Sequence, residues 1–303
     1  ILALLGDVAF FDHNYALTRA YFREIVGRES LGTPDCRFAR FMRDRLAMVD
    51  LFNFRYEDAR RDLAEAAGCG QSLGKIGLFA LVDLARLGPP SELQSARTRI
   101  SAWRAELPPS RDRSWWADFL EGRLQIGSNR QEGEQLLRSA IAGADRENRW
   151  DEEARKVRAY SYQTLISDAA RRGDSVSALM LLAEELEVPQ PAKCAVGLAQ
   201  DGEQLVAMIR GADGATSTNL ERVQYAQWMT RQAQLPESAV APLLSCPEVE
   251  VLAEAPFQGQ GRLLPAQLAW GYRLGAPKSR PVHENGRSLI VSEVEPPSGL
   301  QLP

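Results

Sequence analysis

Between Leu46 and Ala66 small and large apolar residues recur at helical spacing: Leu46-Ala47, then Tyr56, Ala59, Leu63 and Ala66. The small residues Ala47, Ala59 and Ala66 allow two antiparallel helices to approach closely, and Tyr56 and Leu63 fill the gap beside them. The same hairpin pattern recurs five times and stops near Val188. The first copy reads Leu5-Gly6, Asn14-Tyr15, Phe22 and Ile25, with Thr18 in a slot that suits Ala. The third places Ala96, Ile100 and Trp103 on its second helix. The fourth carries Leu120, Gly127, Gly133, Leu137 and Ala140, and the fifth Leu165, Gly173-Asp174, Ala178 and Leu182. Aligned on Ala59, Ala96, Gly133 and Ala178, the copies are spaced by 37, 37 and 45 residues. A hairpin of this size cannot bury its apolar face alone, so the copies are expected to stack. The alternative is a non-repetitive helical bundle.

The helical period ends at Val188-Pro189-Gln190-Pro191, where two prolines in three residues cannot continue a helix. Strand-like runs follow. Cys194–Ala199 and Gln204–Arg210 flank an Asp201-Gly202 turn, and Asp213-Gly214 leads into Thr216–Val223, which predicts a three-stranded antiparallel meander. Tyr225–Gln234 reads as a helix, and Glu237–Ser245 as a short helix despite Pro242. Val249–Ala253 reads as a buried strand, Gly259–Arg262 as a loop and Leu263–Leu274 as a helix or turn. Ala276–Arg287 is polar and rich in Pro and Gly, as in a linker, and Ser288–Val294 reads as a last strand.

Composition changes this picture little. The chain has 303 residues, a size for about two domains, with 45% hydrophobic and 25% charged residues. Its net charge of −4 comes from interspersed acids and bases, so no electrostatic nucleic-acid footprint is visible and no direct nucleic-acid partner is expected. The apolar run Leu78–Leu87 is broken by Asp83 and Arg86, and no run is long enough to span a bilayer. Cys36, Cys69, Cys194 and Cys246 are far apart without CxxC spacing. That pattern predicts free thiols in a reducing cytoplasm, with neither a zinc site nor a disulfide framework. Arg outnumbers Lys 32 to 4, as GC-rich bacterial genomes favour. The chain opens inside an apolar helix without an initiator Met, as expected of a piece of something longer.

The hairpin residues resemble the tetratricopeptide (TPR) repeat, most closely in the second and fifth copies. A second resemblance lies in the segments Glu248–Phe257, Leu263–Trp270 and Ser288–Pro297, whose order and phrasing look like the front part of a CHAT domain. CHAT domains are caspase-like cysteine protease domains found behind TPR arrays in bacteria. Together the resemblances imply an α-solenoid of TPR-like helical hairpins over residues 1–187, a linker at 188–193, and a smaller α/β sheet domain, caspase-like and incomplete, over 194–303. They also imply a cytoplasmic regulatory array plus part of a cysteine endopeptidase that cleaves a partner protein in stress or antiphage defence. The array's concave surface would receive a protein trigger or substrate, and the sheet would be completed by the remainder of its own protease domain. No membrane partner is expected.

Such a protease needs a Cys nucleophile, a His base and backbone N–H groups for the oxyanion. In the family the dyad lies on later strands, so it is expected beyond Pro303, with no catalytic residue in this chain. The two histidines, His13 in a first-repeat turn and His283 in a Pro/Gly-rich loop, fit surface turns. Cys246 follows a helix and precedes Pro247, which fits a structural role. No Gly-x-x-x-x-Gly-Lys-Ser/Thr loop or His-Glu-x-x-His is present, and no cofactor or metal is expected. Gly259-Gln260-Gly261 is a lone glycine pair. Glu152-Glu153 and Glu184-Glu185 read as solvated helix faces, and Trp115-Trp116 as packing between repeats. Glu293 and Glu295 follow the last strand. By the resemblance they are substrate-pocket candidates that would favour a basic side chain; otherwise they are strand-end surface acids. A non-catalytic TPR adaptor is the alternative to the protease.

Overall fold

The structure is a computed structural model that describes residues 2–11, 14–29, 36–68, 73–107, 114–147, 151–202, 204–222, 235–254, 257–259, 261 and 263–273. Among the described residues ten helices precede the first strand: α1 (Leu2–Phe11), α2 (Tyr15–Glu29), α3 (Cys36–Phe52), α4 (Tyr56–Ala67), α5 (Lys75–Leu87), α6 (Pro90–Glu106), α7 (Ser114–Gln125), α8 (Arg130–Arg146), α9 (Glu152–Arg171) and α10 (Ser175–Glu185). Consecutive helices pack in pairs. Local chemistry sets several of their ends. Pro90 opens α6, where its missing N–H costs nothing. Asp151 caps α9 by accepting from the Ala154 N–H at 3.0 Å, and Asp174 caps α10 through the Ser177 N–H at 3.0 Å. Gly173, at φ +75°, turns the chain between them.

Small residues mark the helix seams. Ala47, Ala59, Ala66, Ala96, Ala140 and Ala178 are all fully buried. Gly133 on α8 lies against the end of α7, where a Cβ would come within 2.6 Å of the Ile126 backbone. Aromatic groups fill the wider gaps: Trp115 and Trp116 stack at 6.2 Å, and Phe79 stacks on Tyr160 at 5.0 Å. The first pairs are also tied by charge. Arg19 meets Asp50 at 2.7 Å, and Arg23 meets Asp62 at 2.6 Å, with both carboxylates buried.

The sheet contains β1 (Ala195–Asp201), β2 (Gln204–Arg210), β3 (Thr216–Arg222), β4 (Val249–Ala253) and β5 (Trp270–Tyr272), in the order β3-β2-β1-β4-β5. β1, β2 and β3 form the antiparallel meander, while β4 runs parallel to β1 and β5 parallel to β4. Between β3 and β4 lie α11 (Glu237–Val240) and a 3₁₀ turn at Ala241–Leu243 that contains Pro242. Both faces of the sheet are covered. Ala195, Ala199, Val206, Met208 and Leu252 join the core of the helical region. The alternating residues Val196, Leu198, Leu205, Ala207 and Ile209 pack in a second core with Val240, Leu243, Phe257 and Leu263. Two-sided burial explains why β1 and β2 read as nearly unbroken apolar runs. The connector before β1 is held too, since Arg210 donates to the carbonyls of Pro191 at 2.8 Å, Lys193 at 3.1 Å and Ala192.

Three expectations need correction. The segment expected as a helix or turn over Leu263–Leu274 turns only in its first part, where Pro265 obstructs a helix, and Trp270–Tyr272 pairs with Val249–Val251 as a strand. Cys194 and Cys246 are not free thiols but form a disulfide across 52 residues. Their distance in sequence hid this. Cys194 immediately precedes β1 and Cys246 lies shortly before β4, and the parallel pairing of β1 with β4 brings these two strand entries together. Glu185 is not on a solvated face: it is hydrogen-bonded to Glu254 where α10 meets the sheet, while its neighbour Glu184 stays exposed. The helix expected at Tyr225–Gln234, the linker at Ala276–Arg287 and the strand at Ser288–Val294 lie outside the described residues. Among the described residues no helix is long and apolar enough to cross a membrane.

Candidate functional site

The β1–β2 turn projects its tip into the helical region. Gly202 adopts φ +61°, the left-handed geometry of a tight hairpin turn, and this lets Asp201 reach between the helices. Three arginines await it, each in the last turn of its helix: Arg86 on α5, Arg123 on α7 and Arg171 on α9. Cations are favoured there by the partial negative charge of a helix C-terminus.

Arg123 is the centre. Its Nη1 lies 2.6 Å from Asp201 Oδ1 and also donates to Thr164 Oγ1 at 2.6 Å. Its Nε donates to Asp83 Oδ1 at 2.6 Å and its Nη2 to Asp83 Oδ2 at 3.2 Å. Its guanidinium lies 5.2 Å from the centre of the Phe79 ring. Burial opposes the charge on Arg123, but the carboxylates of Asp201 and Asp83 outweigh it and hold the guanidinium protonated above its ordinary range. Burial likewise opposes the charge on Asp201, and Arg123, Arg86 and Arg171 together hold its carboxyl well below the usual carboxylate range. A buried ion network of this kind is costly to break by removing one partner.

Arg86 is served less well. It lies 3.5 Å from Asp201 and 3.6 Å from Asp83, and its side chain is 16% exposed. Burial and then repulsion from Arg123 pull its pKa down. Arg171 contacts Asp201 at 3.4 Å and donates to Gln204 Oε1 at 2.7 Å. Together Arg86 and Arg171 border a recess of about 510 Å³ between the helices and the hairpin tip. Its apolar walls are Leu51, Phe52, Leu87, Leu93, Leu124 and Ile126. No family model matches this chain, and no curated protein matches it.

A second polar cluster lies at the same helix–sheet boundary. Glu254 follows β4 and is buried; its Oε2 accepts from Gln163 Nε2 at 3.0 Å and from the Gln200 N–H at 3.4 Å. Glu185, the last residue of α10, is hydrogen-bonded to it. Burial, followed by the neighbouring Glu185 carboxyl, pushes Glu254 well above its ordinary value. Burial pushes Glu185 up to about 7. Two carboxyls in such contact share a proton instead of both ionising.

Of the residues singled out in the sequence, Glu293, Glu295, His13, His283, Cys69 and Gln260 lie outside the described residues, as does the side chain of Cys36. Trp115 and Trp116 are buried packing groups. Among the described residues no group of three or more His, Cys, Asp or Glu is arranged to hold a metal ion. The sequence reading missed the site itself. Asp83 and Arg86 stand out as charges inside an apolar run, and Arg86, Arg123 and Arg171 fall near the ends of the alternate helices α5, α7 and α9. That recurrence was the available signal. Asp201 gave none beyond its turn.

Proposed function

We propose that this chain is the regulatory array and front sheet of a caspase-like cysteine endopeptidase of the TPR–CHAT kind, acting in bacterial stress or antiphage defence. The observation that supports this reading is the joint between its two parts. The helical region and one sheet face share a single apolar core, and the ion network on Asp201 fastens the hairpin tip to α5, α7 and α9. A trigger that shifts those helices must move β1 with them. β1 in turn pairs with β4 and β4 with β5, all parallel, as in an α/β sheet that continues by adding strands. In this reading a protein trigger or substrate binds the array, and the His and Cys of the dyad come from the chain beyond Pro303.

Peptide hydrolysis tests it. Residues 1–303 alone should not cleave a peptide library, whereas the longer protein should, with all activity lost on alkylation by iodoacetamide. Cleavage by residues 1–303, or alkylation-resistant cleavage by the longer protein, would refute the reading. A non-catalytic adaptor is the second reading. The disulfide takes Cys194 and Cys246 out of thiolate chemistry, which this reading accommodates as the first does. A longer protein that binds a partner yet shows no thiol-dependent cleavage would select it.

A further inference from the structure

We infer that the recess beside Asp201 is a binding site for a small organic monoanion: a carboxylate on an apolar body, held by Arg86 and Arg171. The inference stands on the recess alone and does not need the protease reading. Three features carry it. The first is hydrogen-bonding capacity. A guanidinium presents five N–H donors in a planar fork, and a buried one normally uses them on carboxylates near 2.8 Å. Arg123 does so, at 2.6 Å to both Asp83 and Asp201. Arg86 has only contacts of 3.5 and 3.6 Å to those same two carboxylates, which Arg123 has already claimed. Arg171 reaches Asp201 at 3.4 Å from the other side. Arg171 also donates to Gln204 Oε1 at 2.7 Å, so Arg86 is the under-used guanidinium bordering the recess and Arg171 the secondary one.

The second feature is charge. Arg86, Arg123 and Arg171 stand against Asp83 and Asp201, which leaves one positive charge over. Asp168 also borders the recess, but it is engaged by Arg172 at 3.1 Å and Arg130 at 3.5 Å. A single negative charge matches this balance. A phosphate dianion would overshoot it by one charge. The third feature is the wall. Six apolar side chains line the space, and its volume of about 510 Å³ falls within the ordinary range of small-ligand sites. Apolar walls around one under-used cation are the complement of an amphipathic carboxylate.

Calorimetric titration of the chain with sodium octanoate tests this, with 1-octanol and inorganic phosphate as comparison probes. Octanoate should bind saturably at one site, and 1-octanol about tenfold or more weaker, the loss expected for one charge-assisted contact. Arg86→Gln should weaken octanoate by about tenfold while leaving 1-octanol binding unchanged, and Arg171→Gln should weaken octanoate by a smaller factor. Should Arg86→Gln fail to fold, the more exposed Arg171→Gln decides. No saturable octanoate binding, unchanged octanoate affinity in the folded variants, or phosphate binding more tightly than octanoate would each overturn the assignment.

Discussion

A carboxyl whose proton is retained in the native state makes stability fall as pH rises, the reverse of a salt-bridged acid. Glu254, buried, and Glu185, half-buried, are such a pair where α10 meets the sheet. In the unfolded chain Glu185 ionises near its ordinary 4.5; in the native state it ionises only near about 7. The pair's contribution is therefore complete below 4.5 and is lost as pH rises through about 7. Arg158, the charged group that faces Glu185 from α9, moderates the effect but does not cancel it. Glu254→Gln keeps a hydrogen-bonding side chain and removes one ionisable group. It should raise Tm at pH 8 relative to the parent, by roughly 1–3 kcal/mol in stability, and leave Tm near pH 4.5 little changed. Asp44 and Asp62, also raised by burial to about 6, give both proteins the same background slope. A parent and variant with identical pH–Tm curves would show that the two carboxyls do not share a proton. None of this was legible in the sequence. Glu184-Glu185 looks like any exposed acid pair, and only the arrival of Glu254 after β4 half-covers its second member.

At the scale of elements the sequence was more informative, because helices and hairpins are encoded locally. Ala59, Ala96 and Ala178, small residues at helical spacing from larger apolar ones, are each fully buried. Gly133 is the instructive member of that series. Its slot lies so close to the end of α7 that a Cβ would meet the Ile126 Cα and N at 2.6 Å. Both are backbone atoms, so α7 and α8 must separate to admit a methyl group. Gly133→Ala should thus cost about 1–3 kcal/mol despite the better helix propensity of Ala, read as a lower Tm. A rise in Tm would mean that propensity outweighs the clash and that the helices are not so close. The meander was equally legible, since Asp201-Gly202 and Asp213-Gly214 are local turn signals. β5 was not. It has three residues, and its strand character comes from pairing with β4, which lies well before it in sequence.

For the molecule as a whole, what the sequence withheld is long-range. The disulfide between Cys194 and Cys246 joins the entries of two neighbouring strands and closes a 52-residue separation. Replacing both cysteines by Ser should lower stability by about 2–4 kcal/mol, and mass measurement without reductant should show the parent two hydrogens lighter per bond than its reduced form. Equal Tm values for oxidised and reduced protein would contradict this. The ion network on Asp201 has a further effect, on which structure the chain can reach at all. In the native register Ala195, Gly197, Ala199 and Asp201 of β1 face the helices. A slip of one residue would reverse the strand's faces. Leu198 or Val196 would then press on α10, where even a Cβ at Gly197 would come within 2.8 Å of Leu179. Arg123, wholly enclosed, would face only Asp83. Misthreaded hairpins are thus rejected twice, by volume and by charge, and the tip of β1 serves as the chain's own proofreading mark.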